Sequence, residues 1–178
     1  MWPFNMRIPK EEYEKLLLSV KPNKKVNLPW AEFELDPNAL KHLNKINNDP
    51  ELKRKIIDFL YKFKATEFKY INGGFTTSVF SISEGLVLKI VFTSEDINSF
   101  PNFVIKPYEV LSYKGLVVMI CPKVKTMGIT KKDRLTVIKE AQNEGFEIVD
   151  GKDDNDNYGI LPNGKPKWLD IGGYKKIK

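Results

Sequence analysis

Two periodicities divide this sequence. Over residues 1–67 the apolar positions recur at helical spacing: in "PKEEYEKLLLSV", Tyr13, Leu16, Leu17 and Val20 share one side behind an acidic first turn, and "KPN" halts the run. "DPNALKHLNKI" and "DPELKRKIIDFLYKF" each place an aspartate, Asp36 or Asp49, where its carboxylate can cap free amide groups. A proline follows each at the first helical position, which tolerates it. Leu52, Ile56, Phe59, Leu60 and Phe63 then make one apolar stripe, so the spacing predicts a helical front.

From Phe68 the period becomes two. "FKYINGG", "TSVFSISEG", "LVLKIVF", "FVIKPYEVLSYKG" and "LVVMICPKV" are short runs rich in Val, Ile, Phe and Tyr, broken by glycine or polar residues. Glu84-Gly85 and Lys114-Gly115 have the composition of tight hairpin turns. A five-stranded antiparallel sheet over 68–127 is the expectation. After Gly128 a helix returns, with Thr130 and Asp133 as a capping box, Leu135, Ile138 and Ala141 as its buried face and Gly145 as its end. An acid-rich loop, "VDGKDDNDN", and a last hairpin, "YGILPNGKPKWLDI", turning at Asn163-Gly164, complete residues 128–178. The expected class is α+β, in one compact unit.

Composition narrows the picture only a little. The chain has 178 residues, 42% of them hydrophobic and 29% charged, which is the make-up of a folded chain and not of a disordered one. No run of about 18 apolar residues occurs, and Met1 to Pro9 lacks the apolar core of a leader, so a cytoplasmic protein with no membrane contact is expected. Cys121 is the single cysteine and has no internal disulfide partner. The net charge of +6 comes from dispersed lysines and favours polyanions in general: nucleotide phosphates, RNA or acidic protein surfaces.

The candidate chemistry lies in an ordered series of residues. Gly73 and Gly74 open the sheet, and glycines let backbone amides approach a phosphate with no side chain between. Lys89 interrupts the apolar run "LVLKI", its side chain on the opposite face from Leu88 and Ile90, and a cation so placed calls for an anionic partner. Asn157 and Asp170 bracket the final hairpin, 13 residues apart. This succession resembles the protein-kinase fold from about Ile71 to Gly173, and it is similar to compact phage-encoded kinase-like proteins.

The resemblance implies a five-stranded kinase-like N-lobe and a strongly truncated C-lobe of one helix and a β-hairpin, with ATP and Mg2+ as cofactors. Gly73, Gly74 and Val79 would cover the nucleotide, and Lys89 would hold its α- and β-phosphates. Met119 would stand behind the base, with backbone groups of Ile120 to Pro122 presented to adenine. Asn157 and Asp170 would bind the metal, "DIG" standing where the family has Asp-Phe-Gly. The third glycine of the family's loop is absent, Thr77 or Ser78 lying near its place.

Counting back from Asn157 puts Lys152 where the family has its catalytic aspartate and Asp150 where it has a histidine. A second register keeps Asp-x-x-x-x-Asn through Asp150 and Asn155. Both registers stand at this point, with Asp150 the first candidate base and Asp153 the second. "VFTSEDINSFPN" offers no C helix and only Glu95 as a partner for Lys89. The activation segment and large helical lobe that follow Asp-x-Gly in the family are missing, and the helical front is expected to fill that place.

Two functions follow. One is a minimal ATP- and magnesium-dependent protein kinase acting on a Ser/Thr hydroxyl, in the cytoplasm, or a host's cytoplasm if the source is a phage. The alternative is a catalytically inactive pseudokinase module that binds a partner protein. A basic nucleic-acid binder ranks below both because it leaves the 13-residue spacing unexplained. A calcium loop starting at Asp154 fails, since its twelfth position is Lys165 where a bidentate glutamate is required.

Overall fold

The structure, a computed structural model, describes residues 8–19, 26–28, 31–33, 37–73, 76–93, 97 and 99–178. The chain divides into two compact units, one of Met1–Asp96 with Glu109–Ile120, the other of Ile97–Tyr108 with Cys121–Lys178. These limits follow packing, whereas the divisions at 67/68 and 127/128 follow changes of period. Helical front and sheet share a unit because the first covers the second.

The first unit runs α1 (Glu12–Ser19), β1 (Val26–Leu28), β2 (Ala31–Phe33), α2 (Pro37–Asn48), α3 (Pro50–Lys62), β3 (Lys69–Gly73), β4 (Thr77–Ser81), β5 (Leu86–Phe92), β6 (Glu109–Tyr113) and most of β7 (Leu116–Pro122). β1 and β2 form a small hairpin inside the stretch expected to be wholly helical. Asp36 lies outside the described residues, but Asp49 caps α3 as expected, accepting from the amides of Glu51 and Leu52 ahead of Pro50 at the helix start. Strands β3 to β7 make a five-stranded antiparallel sheet in the order β3-β4-β5-β7-β6. The β6–β7 turn has Lys114 at φ 43° and Gly115 at φ 78°, the left-handed pair that a two-residue hairpin needs.

The two faces of this sheet differ. Phe80, Leu88, Ile90, Val118 and Ile120 join Leu17, Ile46, Leu52, Ile56 and Leu60 in one core, so the helices cover this face. His42 of α2 reinforces the contact, its Nδ1 2.6 Å from Ser78 Oγ and its ring stacked on Phe92. Val87, Val91, Val117 and Met119 are buried outside that core, and alternation puts them on the face of Lys89. The helical front therefore covers the face opposite Lys89 and does not stand in for a lobe on the lysine side.

The second unit contains α4 (Lys131–Asn143), β8 (Phe146–Ile148), a single 3-10 turn (Asn155–Asn157), β9 (Tyr158–Ile160), β10 (Pro166–Trp168) and β11 (Tyr174–Lys176). The capping box of Thr130 and Asp133 forms as expected. The buried face of α4 is Val137 and Ala141 with Ile138 at its margin; Leu135 is 54% exposed, because Val137 and Ala141 are the pair that meets Phe103, Tyr158 and Trp168. The run "FVIKPYEVLSYKG" splits: Pro107 has no amide to continue a ladder, so only Glu109–Tyr113 joins the sheet while Phe103 and Val104 enter the core of the second unit. β8 pairs with β11, a ribbon that the lysine-rich "YKK" did not announce. No helix among the described residues is long and apolar enough to cross a membrane.

Asp49 also ties α3 to the β6–β7 turn, accepting from Tyr113 Oη at 3.0 Å, with Lys114 Nζ 3.9 Å away. The Leu52 amide lowers its carboxyl most; burial, next in size, opposes it, and the Tyr113 hydroxyl and the Lys114 charge help to keep the group below the ordinary 3.8. A lowered folded pKa means stability present above the unfolded value and lost as pH falls through the folded one. Urea midpoints measured from pH 5 down to pH 2 should therefore fall less steeply in Asp49→Asn, which keeps a capping oxygen, than in the parent chain.

Candidate functional site

The residues that bracket the final hairpin are brought together by its ladder. Tyr158 pairs with Trp168, Gly159 with Lys167 and Ile160 with Pro166. The turn closes through Gly164 at φ 83° and through Asn163 Oδ1, which accepts from the Lys165 amide. At the open end the Leu169 amide donates to Asn157 O at 2.8 Å, so Asn157 lies against the residue before Asp170. Thirteen residues of chain thus return to their starting point.

Asn157 Nδ2 donates to Gly151 O at 3.1 Å, and among the described residues Oδ1 accepts no hydrogen bond. Asp170 is exposed; its Oδ1 accepts from the Gly172 amide at 3.0 Å, and it forms no ion pair among the described residues. The amides of Val149 and Asp150 both donate to Gly173 O, at 2.8 and 3.2 Å. The loop at Asp150 and Gly151 is thus tied to the Asn157 side chain and to the turn that follows Asp170, and Asp150 and Asp170 are both exposed.

Asp153 and Asn155 lie elsewhere on the loop. Arg134 of α4 donates from Nη1 to Asp153 O at 3.3 Å and to Asn155 Oδ1 at 2.6 Å, which uses the Asn155 side chain. Of the two asparagines, Asn157 is the one joined to the Asp170 strand. Lys152 is exposed, and its carbonyl accepts from Tyr158 Oη at 2.7 Å. Burial pushes the Tyr158 phenol up to about 12, so it stays a neutral donor and anchors the loop. Tyr174 is raised too, first by burial and then by the negative charge of Asp170.

Among the described residues no group of three or more His, Cys, Asp or Glu side chains is arranged to hold a metal. One carboxylate and one amide oxygen, both hard donors, suit an ion such as magnesium that keeps several waters and shares a phosphate. The donor set fits that ion.

In the first unit, Lys89 lies in the central strand of the sheet, half-buried and opposite Val79. An edge lysine facing water is thereby ruled out. Gly73 ends β3 opposite Ser78, while Gly74 and Glu95 lie outside the described residues. Met119 is buried on the Lys89 face, the Ile120 side chain enters the core under the helices, and Pro122 is half-buried. A shallow groove of about 390 Å3, lined by Lys10, Glu14, Lys53 and Arg54 among others, contains none of these residues.

Sequence reasoning missed Gly151, Gly173, Arg134 and Trp168. Two signals were present: a glycine in "VDGK" and a doubled glycine in "DIGGY", each at a sharp change of direction. Gly151 has φ 69°, and a Cβ there would overlap Asn157 Nδ2. Gly151→Ala should lower the unfolding free energy by about 1–2 kcal/mol or more, read from urea midpoints, and should shift the Asn157 side-chain NH2 signals in a 15N correlation spectrum. Neither a protein-family model nor a curated protein matches this chain.

Proposed function

We propose that this chain is a minimal kinase-like protein that binds ATP with magnesium and transfers phosphate to a protein Ser/Thr hydroxyl. The observation that carries the reading is the Leu169 to Asn157 backbone hydrogen bond, which sets Asn157 across the open end of the ribbon from the residue before Asp170. Lys89 supports it by its place, half-buried in the central strand and opposite Val79, where the resemblance puts the phosphate-binding lysine. Of the three points where the chain passes between the compact units, one falls between Ile120 and Cys121, in the stretch read as a hinge.

In this reading the Lys89 ammonium binds the α- and β-phosphates, and the backbone at Gly73 and Gly74 covers them. Asn157 Oδ1 and the Asp170 carboxylate hold the magnesium ion. When bound, the ion neutralises charge on the phosphate oxygens. Asp150 accepts the proton of the substrate hydroxyl as its oxygen bonds to the γ-phosphorus, and the bond to the bridging oxygen breaks to release ADP. Holding and charge neutralisation are most of this chemistry, so a small scaffold can supply it.

A second reading, a pseudokinase module acting on a partner protein, draws on one specific observation. Among the described residues the stretch after β5 forms no helix: Phe103 and Val104 turn into an apolar core where a C helix would offer a glutamate. Lys152 at the family's base position points the same way.

Calorimetric titration with ATP separates the readings. The kinase reading expects binding that requires magnesium and weakens roughly 10–100-fold in Lys89→Ala and in Asp170→Ala, the worth of a lost charge-assisted hydrogen bond, together with radiolabel transfer to a protein acceptor. Binding without transfer favours the module, and no binding in the parent chain ends the kinase reading. Asp150→Ala should reduce transfer by about 100-fold or more while leaving ATP affinity unchanged; undiminished turnover would remove Asp150 as the base.

A further inference from the structure

The residues after Asp170 form a clamp that a hairpin end does not require. Asp170 Oδ1 accepts from the Gly172 amide at 3.0 Å, and Gly172 O accepts from the indole Nε1 of Trp168 at 3.0 Å. Trp168 is fully buried, its ring edge-on to Tyr158 with centroids 5.1 Å apart. Gly173 has φ 76°, and a Cβ there would stand 3.1 Å from Asp150 O and 3.2 Å from Trp168 Cζ2. At the next residue β11 begins, Tyr174 pairing with Ile148 of β8 and its ring meeting Phe103 and Phe146.

Swinging the backbone of the Asp170 turn outward breaks several of these contacts together. A buried indole N–H needs an acceptor, and leaving it unpaired costs its full desolvation. The same movement strips the Val149 and Asp150 amides of Gly173 O. Only Ile171, Gly172 and Gly173 separate Asp170 from the β11 ladder, so little slack exists for an alternative path.

We propose that Trp168 is a positioning residue that holds Asp170 permanently in its metal-binding attitude, so that the site needs no rearrangement of the following chain, and no second signal, to form. The proposal rests on the reading of Asp170 as a magnesium ligand given above. Trp168 itself touches neither metal nor nucleotide. It acts through the Gly172 carbonyl, and the Gly172 amide then fixes the carboxylate.

Trp168→Phe keeps an aromatic ring and removes the N–H. ATP binding titrated across magnesium concentrations should show the half-saturating Mg2+ raised about tenfold, at the lower end of the 10–100-fold seen when a ligand's supporting hydrogen bond is lost. Affinity for ATP at saturating Mg2+ should stay near that of the parent chain. Hydrogen exchange at the Gly172 amide should quicken at least about tenfold, while the Leu52 amide in α3 is unaffected. Gly173→Ala, which strains the same turn from outside the core, should show both effects and serves where Trp168→Phe does not fold. An unchanged magnesium requirement in the folded variant, beside a parent chain that binds magnesium and ATP, overturns the positioning role. Gly172 exchange that fails to quicken overturns the clamp itself. A parent chain without magnesium-dependent ATP binding overturns the reading of Asp170 and this proposal with it, and quickened Gly172 exchange in that case shows that the clamp was real and its ligand misread.

Discussion

A tryptophan cannot be buried completely unless its indole N–H finds an acceptor, and the second unit is arranged around that demand. Trp168 donates to Gly172 O, four residues past the end of its own strand. Its main chain is equally committed, the amide donating to Phe103 O and the carbonyl accepting from the Ile105 amide. One residue thereby joins the hairpin, the irregular segment after β5 and the turn that carries Asp170. The acid-rich loop, which has little apolar surface of its own, is fastened at its edges to these same parts through Gly173 O, Gly151 O and the Tyr158 hydroxyl.

The five-stranded sheet solves a different problem. An antiparallel sheet with one apolar face must be covered on that face, and α1 to α3 do so over Phe80, Leu88, Val118 and Ile120. The opposite face is apolar as well, but Lys89 stands in its middle. A cation tolerated at the centre of a sheet, with small and medium apolar residues around it, is the arrangement that gives charge in a low-dielectric setting its strength. Helix coverage of one face leaves Lys89 on the other.

The loop between β8 and β9 and the turn after β10 show how acidic and amide side chains divide between local order and exposure. Arg134 takes the Asn155 side chain, while Asp154 and Asp170 each accept with one oxygen from the amide two residues on. Asp150 and Asp170 have main-chain partners that place them while leaving most of each carboxylate exposed. In an acid-rich stretch, which oxygen accepts which amide is decided by the turns of the backbone, and composition is silent on that.

Local hydrogen bonds were legible. Asp49 before Pro50, Thr130 with Asp133, Lys114-Gly115 and Asn163-Gly164 each specify a cap or a turn through groups within a few residues, and each forms. The hairpin between Asn157 and Asp170 was legible too, but its register was not: the ladder sets Asn157 opposite Leu169, one residue short of Asp170. Which side of α4 is buried was not, since Leu135 and Val137 are equally apolar and only the partner surface chooses between them. Nor was the departure of Phe103 from the sheet, the β8–β11 ribbon, or the bond from Trp168 to Gly172. Those were decided by which distant surfaces had to be covered and which buried donors had to be paired, and both conditions exist only once the chain has folded.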